Sequence, residues 1–195
     1  STQQLLIESE LIIQQYNESP LDFIVADYAI NYPFKYLAND NFILSSYMVL
    51  PNEETRTLLN NWIYNVYKYN ETIQTYTLLQ KLTTYIFKNF TYKVREEAGV
   101  QTAKQTLSYG SGSCRDFAFL FMEVVKCLGL ATRFVSGYLY APLMSDKVGS
   151  THAWAEVYLP GGGWIGFDPT TGNIAGTDHI SVAVSRLPDN VPPIA

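Results

Sequence analysis

The stretch that decides the fold is GSGSCRDFAFLFMEVVKCL, which covers residues 110–128. From Phe117 onward this stretch is apolar on nearly every side of a helical projection, which is typical of a helix buried in a core. Gly129 follows directly and suits the left-handed residue that often ends a helix. The sequence therefore predicts a central buried helix that begins near Cys114, after a flexible turn at residues 110–113.

Helical patterns precede this stretch, and strand patterns follow it. Upstream, apolar residues recur every three or four positions; downstream, the period changes to two and β-branched and aromatic residues dominate. Helices followed by antiparallel strands indicate an α+β fold, in which the Cys-bearing helix packs on an antiparallel sheet. The predicted helices begin after Asn52 and cover Thr72–Asn89 and Thr102–Leu107, and the predicted strands are Thr132–Tyr140, Ser150–Leu159 and Trp164–Asp168.

Residues 1–50 have a different sequence pattern, in which tyrosines and aliphatic residues lie between turn-forming residues. We expect short β segments and loops there, including a strand across Leu5–Ile13, and tyrosines that pack rather than bind a ligand. Residues 1–51 are thus interpreted as the C-terminal part of a β-rich N-terminal region, and residues 52–195 as the catalytic core. Because the chain opens inside a strand pattern, we expect it to be a piece of a longer protein.

Composition limits the class of protein. The chain has 195 residues and a mass of 22.0 kDa, with 47% apolar and 16% charged residues, which excludes a disordered or fibrous chain. The net charge is −5 and no Lys/Arg cluster stands out, so neither nucleic acid nor an anionic membrane is an expected partner. The longest apolar run is far shorter than the ~18 residues of a membrane span. The lack of a signal-like segment slightly favours the cytoplasm, although a fragment leaves the compartment open.

Two cysteines and two histidines restrict the chemistry that the chain can assemble. Two cysteines are too few for a disulfide scaffold or a four-Cys zinc site. Cys114 is predicted at a helix N-terminus, where the macrodipole and unpaired N–H groups favour the nucleophilic thiolate and could hold an oxyanion. The alternative is a small buried hydrophobic residue, which is our interpretation of Cys127.

A thiolate mechanism also needs a base and a residue that orients the base. His152 begins a predicted strand, and Asp168 ends the next one, before Pro169. Each has a plain alternative, since a lone histidine is often a hydrogen-bonded structural residue and an Asp before Pro often starts a turn.

The register of the predicted hairpin decides whether these two side chains meet. Opposite residues of an antiparallel pair have a constant index sum, and a sum of 320 would place His152 directly opposite Asp168. A loop at 160–163 would give a sum of 323 and opposite faces, unless a bulge intervenes. The glycines at 161–163 allow either register.

Three blocks of the sequence resemble the core of the transglutaminase-like superfamily, and the match is closest to its bacterial members. The blocks are GSGSCRDFA at 110–118, STHAWAEVY at 150–158 and GWIGFDPT at 163–170. The resemblance extends over roughly residues 72–180; residues 178–180 and 188–193 are similar to the tail of the bacterial proteins, and residues 1–50 to the end of the region that precedes their core. It implies a papain-like (cysteine proteinase) fold.

The resemblance also implies roles for the residues of these blocks. Cys114 would attack a carboxamide or peptide carbonyl, His152 would transfer the proton, and Asp168 would orient the imidazole. The backbone N–H of Cys114 would donate to the oxyanion, a contribution of ~10²–10³ in rate, and Tyr109 is the candidate for the second donor. The expected partner is a protein or peptide substrate.

Neither a cofactor nor a metal is expected. His152 and His179 lack metal-ligand spacing with nearby acids, and the acidic loops that hold calcium in animal transglutaminases are not found in this sequence. Asp116 is interpreted as a first-turn helix acid, and Trp154 and Trp164 as packing residues of the hairpin.

Three activities remain open at the level of sequence. The acyl-enzyme could react with water, as in a protease or amidase, or with an amine, as in a cross-linking transglutaminase. We favour hydrolysis because transamidation needs a second site that admits an amine and excludes water. A non-catalytic interaction module on the same scaffold is the third alternative, although all three triad residue types are present in order.

Overall fold

The computed structural model describes residues 12–16, 21–69, 71–140 and 150–192. Its central element is the helix α5 (Cys114–Cys127), which contacts two neighbouring strands of a five-stranded antiparallel sheet. The sheet has the strand order β8-β7-β6-β5-β9. The α+β class with a Cys-bearing helix on an antiparallel sheet is therefore confirmed. The strands of this sheet are β5 (Thr132–Leu139), β6 (Ser150–Leu159), β7 (Gly163–Asp168), β8 (Asn173–Ile174) and β9 (His179–Ser185).

Four further helices and two small sheets complete the described fold. The helices are α1 (Ala38–Leu44), α2 (Glu53–Ile63), α3 (Thr75–Asn89) and α4 (Ala103–Tyr109). The small sheets pair β1 (Asn31–Tyr32) with β2 (Ile73–Gln74), and β3 (Thr91–Tyr92) with β4 (Ser111–Gly112).

Local capping explains where the helices around the cysteine begin. Asp116 Oδ2 accepts hydrogen bonds from the N–H and the hydroxyl of Ser113, at 2.8 and 2.9 Å, so the first turn of α5 holds its own N-cap residue. Thr102 and Gln105 form a capping box at the start of α4. Gly129, at φ +76°, follows the end of α5 as expected. Short-range interactions thus fix the position of Cys114 as the first residue of α5.

Residues 110–113 are ordered rather than a flexible turn, which corrects the expectation for this segment. Gly110 O and Gly112 O each accept a hydrogen bond of 2.8 Å, from the N–H groups of Thr91 and Lys93. A Cβ on Gly112 would come within 2.8 Å of Asp116 Cβ, so close packing as well as backbone pairing requires glycine here. The segment before Cys114 is therefore held in place by β3.

The described part of the N-terminal segment also differs from expectation. Within residues 21–50 the regular structure is mostly helical, and a single two-residue strand, β1, is present. The turn formers at 39–41 lie in the first turn of α1, because Asn and Asp suit helix N-termini as well as loops. The strand expected at Leu5–Ile13 lies almost entirely outside the described residues, and residues 12–16 have no regular structure.

Tyrosines attach this segment to the core, as expected. The Tyr32 hydroxyl donates to Leu128 O at 2.9 Å, at the C-terminal end of α5. The Tyr36 hydroxyl donates to Tyr158 O at 2.8 Å and accepts from the N–H of Ala131 at 3.0 Å. Both rings are buried, so residues 21–50 pack directly on the core that carries the cysteine.

The hairpin between β6 and β7 has neither of the two registers that the sequence allowed. Ala155 lies opposite Phe167, and Leu159 lies opposite Gly163, which is an index sum of 322. The turn has Pro160 at its second position and Gly161 at φ +87° at its third, with Gly162 N–H donating to Leu159 O at 3.0 Å. This is the geometry of a type II turn, which favours Pro followed by Gly.

No helix in the described ranges is both long enough and apolar enough to cross a membrane.

Candidate active site

Cys114 lies half-buried at the mouth of a cleft of about 540 Å³. As the first residue of α5, it is surrounded by backbone N–H groups that have no partner within the helix. The cleft is lined on one side by Tyr92 and Val94 and on the other by Phe134 and His152. A carbonyl group entering this cleft would meet the sulfur and the N-terminus of the helix together.

His152 and Asp168 are in direct contact, as the thiol mechanism requires. The distance from His152 Nε2 to Asp168 Oδ2 is 2.9 Å, and both side chains are buried. Continued by one pair, the observed register places Asp168 opposite Trp154, on the same strand face as His152. The two side chains therefore meet diagonally rather than directly across the hairpin.

The His152 ring lies between Asp168 and Cys114. Burial alone would lower the pKa of this imidazole, but the hydrogen bond with Asp168, the neighbouring Cys114 thiol and the negative charges of both groups raise it to about 9. Because Nε2 faces the carboxylate, Nδ1 is the ring nitrogen left for the thiol. The arrangement can accept a proton from sulfur and hold the resulting positive charge.

Asp168 is fully buried and accepts four hydrogen bonds. Oδ1 accepts from Thr170 N–H at 2.8 Å, and Oδ2 accepts from Thr171 Oγ1 at 3.0 Å and from two histidine rings. Burial opposes ionisation of this carboxyl, but the donors from His152, His179 and Thr170 hold its pKa well below the usual range. Asp168 is therefore an anchored carboxylate rather than the plain turn-starting residue that the sequence also allowed.

His179 is a site residue that the sequence reasoning missed. Its Nε2 lies 3.1 Å from Asp168 Oδ2, and its Nδ1 accepts the N–H of Gly176 at 3.1 Å. Trp154, only 2% exposed, packs against both histidine rings, with centroids 6.2 Å from His152 and 5.1 Å from His179. The signals in the sequence were the scarcity of histidine and the resemblance at residues 178–180. Neither placed His179 beside Asp168, because β9 reaches this place through long-range pairing with β5.

Tyr92 is a second residue that the sequence reasoning did not single out. It lines the cleft beside Cys114, since β3 pairs with the residues that precede the cysteine. Burial raises the pKa of its hydroxyl, and so do the negative charges of Cys114 and Asp168. A two-residue strand with a distant partner leaves no periodic pattern, so the sequence could not place Tyr92 here.

Asp116 anchors one wall of the cleft. Its Oδ1 accepts from Arg95 Nη1 and from the N–H of Gln101, both at 2.7 Å, and Arg115 Nη2 donates to the carbonyl of Arg95 at 3.2 Å. Burial opposes ionisation of Asp116, but the N–H groups of Gln101 and Ser113 and the Arg95 guanidinium hold its pKa below the usual range. The first-turn acid expected from the sequence thus also fixes the loop at residues 93–101.

Within the described ranges, the remaining candidate residues do not line the cleft. Tyr109 ends α4, is 62% exposed and is not among the described residues that line the cleft, so the structure gives no support to it as an oxyanion donor. Trp164 packs against Tyr47 and under the Arg133 guanidinium, as a packing residue. Burial raises the pKa of Cys127 to about 11, in keeping with its interpretation as an inert residue.

One group in the described part of the chain could hold a metal ion. It consists of His152, Asp168 and His179, whose ligand atoms lie within 4.8 Å of one another. In the structure these atoms are joined by hydrogen bonds through Asp168 Oδ2. An ion would have to replace both bonds, so the group fits a hydrogen-bonded assembly better than a preformed metal site.

A sequence comparison identifies the family to which this fold, with Cys114 and His152 in one cleft, belongs. The sequence profile of the transglutaminase-like superfamily matches residues 67–169. This match covers more than half of the chain, and the protein belongs to that superfamily. It is a family of thiol-dependent enzymes, and its papain-like fold is the one expected from the sequence.

Relatives and solved structures agree with this assignment. An uncharacterized protein of Mycobacterium tuberculosis is 32% identical over 126 residues, which is 60% of this chain and 40% of the relative. A candidate cysteine protease from Cytophaga hutchinsonii superposes with a TM-score of 0.61 at 24% identity, over 80% of this chain and 50% of that one. The periplasmic domain of TgpA from Pseudomonas aeruginosa gives a TM-score of 0.51 at 23% identity, over 68% and 48% of the two chains. The chain thus spans about half or less of the length of these proteins.

Proposed function

We propose that this protein is a thiol-dependent enzyme that cleaves amide or peptide bonds through Cys114, His152 and Asp168. The observation that carries the proposal is the position of the His152 ring, held by Asp168 at 2.9 Å and adjacent to a thiol at a helix N-terminus. Nucleophile, base and orienting carboxylate in this order are the parts that covalent acyl transfer needs.

The proposed reaction has two halves. In the first, Cys114 Sγ attacks the carbonyl carbon, its proton passes to His152, and the oxyanion is held by N–H groups at the start of α5. The C–N bond then breaks, and His152 donates its proton to the leaving amine, which leaves a thioester on Cys114. In the second half, His152 takes a proton from water, the hydroxide attacks the thioester, and the thiolate departs and is reprotonated.

Hydrolysis is the favoured outcome for the acyl-enzyme. Water needs no binding site of its own, whereas an amine acceptor needs one. The cleft walls at Tyr92, Val94 and Phe134 offer an apolar surface that suits an acyl group or peptide chain. Transamidation is the alternative that the experiment must separate.

Iodoacetamide alkylation tests the nucleophile, and Cys127 in the same chain is its matched control. At pH 7.5 we expect Cys114 to be alkylated at least about tenfold faster than Cys127, measured peptide by peptide by mass spectrometry. His152→Ala should abolish most of the difference. Equal rates at the two cysteines in the unaltered protein would favour a non-catalytic module.

Incubation with dimethylcasein as the substrate tests whether the enzyme catalyses hydrolysis or transamidation. We expect ammonia release or peptide cleavage to exceed incorporation of monodansylcadaverine, and Cys114→Ser to abolish both. Amine incorporation as the dominant product would instead identify a transamidase.

A further inference from the structure

The hydrogen bonds of His179, the second imidazole in contact with Asp168, define its tautomer. The N–H of Gly176 donates to Nδ1 of His179, so this nitrogen carries no proton. The proton of a neutral ring then lies on Nε2, which faces Asp168 Oδ2 at 3.1 Å. The geometry therefore describes His179 as a neutral donor to the carboxylate that also receives His152.

The fold holds His179 in this position. β9 pairs with β5, and Leu139 lies opposite His179 at the end of that pairing. A Cβ on Gly137 would lie 2.1 Å from Ile180 O, so the close approach of β9 beside His179 depends on glycine at 137. Trp154 meets the His179 ring edge-on and limits its rotation.

We propose that His179 is a positioning residue of the active site, which donates its Nε2–H to Asp168 Oδ2 and takes up part of the negative charge of that carboxylate. The role rests on the proposed function, because a tuned His152 matters only if Cys114 reacts. By sharing the charge of Asp168, His179 limits how strongly the carboxylate holds the proton on His152. A base that binds its proton too strongly would be slow to return it to the leaving amine.

The groups around His152 determine how its titration should respond. Asp168 on β7 and Cys114 on α5 act directly on the His152 ring. His179 on β9 acts on it through Asp168, and the hydroxyl of Tyr92 on β3 is the further titratable group near Cys114 and Asp168. If His179 stops donating, the charge of Asp168 is less delocalised and stabilises the protonated His152 ring more strongly. Thr170 and Thr171 still hold the carboxylate, so it should keep its orientation toward His152.

Two substitutions separate the hydrogen bonds of His179. In His179→Asn, the amide oxygen can accept from Gly176 N–H at the former Nδ1 position, but the donor to Asp168 is lost. In His179→Gln, the amide nitrogen can reach the former Nε2 position and restore the donor, but the acceptor for Gly176 is lost. If the role of His179 were purely structural, the pKa of His152 would be the same in the two variants, or it would differ only in step with their melting temperatures.

The readout is the titration of His152 by NMR in untagged protein. The chain has two histidines, so either variant leaves a single imidazole signal. We expect His179→Asn to raise the pKa of His152 by about half a pH unit or more and His179→Gln to leave it nearly unchanged. In the unaltered protein, long-range ¹H–¹⁵N spectra should show His179 protonated on Nε2 alone.

A His179 ring protonated on Nδ1, an unchanged or lowered His152 pKa in His179→Asn, or equal shifts in both variants would overturn the role of His179. Failure of the proposed function has a different signature, which is equal alkylation of Cys114 and Cys127 in the unaltered protein. The NMR titration needs no turnover, so the two failures are distinguishable.

Discussion

His152 and Asp168 meet across the β6–β7 hairpin with an offset of two residues, and Nε2 of the imidazole lies 2.9 Å from Oδ2 of the carboxylate. Continued by one pair, the register places Trp154 opposite Asp168, and the buried indole stacks on the His152 ring with centroids 6.2 Å apart. The buried pair raises the basicity of His152 in spite of its desolvation.

Removing the charge of Asp168 should reverse this effect. In Asp168→Asn, burial of His152 remains while the negative charge is lost, so the pKa of His152 should fall well below its value of about 9. We expect alkylation of Cys114 by iodoacetamide at pH 7.5 to slow by about 10-fold or more, because His152 no longer holds the thiol proton as imidazolium.

Asp178→Asn is the matched control, since Asp178 is exposed and lies in the same segment as His179. It should leave the alkylation rate within twofold of the unaltered protein. An Asp168→Asn rate as fast as the control would mean that Asp168 does not act on His152.

The raised pKa of His152 also predicts how stability depends on pH. The pKa is near 6.5 in the unfolded chain and about 9 in the folded one, so protonated His152 stabilises the fold. This contribution is complete below pH 6.5 and is lost as pH rises through 9, with an upper value of about 3 kcal/mol.

Urea unfolding at pH 6 and pH 9.5 measures this contribution. Both proteins that are compared carry Cys114→Ser, which removes titration of the thiol, and one of them also carries His152→Gln. Because Cys114 contributes to the raised pKa of His152, the contribution measured in this background is the part that comes from Asp168. We expect the difference in unfolding free energy between these two proteins to shrink at the higher pH. A difference that stays constant or grows would contradict the raised pKa.

Sequence reasoning succeeded where interactions are local. The Ser113–Asp116 capping pair and the apolar run after it determine α5, and the position of Cys114 follows from them. The strands β5, β6 and β7 were located to within a residue, because a period of two is a local signal.

The register of the β6–β7 hairpin and the position of His179 depend on turn geometry and on distant pairing partners. The register of the β6–β7 hairpin follows from a type II turn at Pro160–Gly161, and the composition of the loop allowed other turns. His179 reaches Asp168 only through the β5–β9 pairing, which includes a bulge near Gly137. Neither feature has a signature within a short window of sequence.

Asp116 should be essential for the stability of the cleft wall rather than for the reaction at Cys114. In Asp116→Asn, the buried carboxylate that pairs with Arg95 and Gln101 loses its charge, which should lower the unfolding free energy by about 3 kcal/mol. Because the carboxylate pKa is depressed in the fold, its stabilising effect is present at neutral pH and lost in acid.

Thermal unfolding at pH 7 and pH 3 checks this prediction, and Glu53→Gln serves as a control at an exposed first-turn acid of α2. The deficit of Asp116→Asn relative to the unaltered protein should be largest at pH 7 and should narrow at pH 3. A deficit no larger than that of the control would show that the Arg95 contact is dispensable.

Gly137 should be the position where a single methyl group disrupts the site from a distance. A Cβ there would lie 2.1 Å from Ile180 O and 3.0 Å from Trp154 Cη2, so Gly137→Ala must push β9 away from β5 and carry His179 from Asp168. We expect a loss of about 1–3 kcal/mol in unfolding free energy, together with a rise in the pKa of His152, which is the direction expected when the His179 donor leaves Asp168. Gly129→Ala is the control, since its Cβ meets nothing within 4 Å and only the left-handed backbone at φ +76° is strained. This control should lower the unfolding free energy by about 1 kcal/mol and leave the pKa of His152 unchanged. If both variants keep the His152 pKa of the unaltered protein, the packing of β9 does not hold His179 in its place as a donor to Asp168.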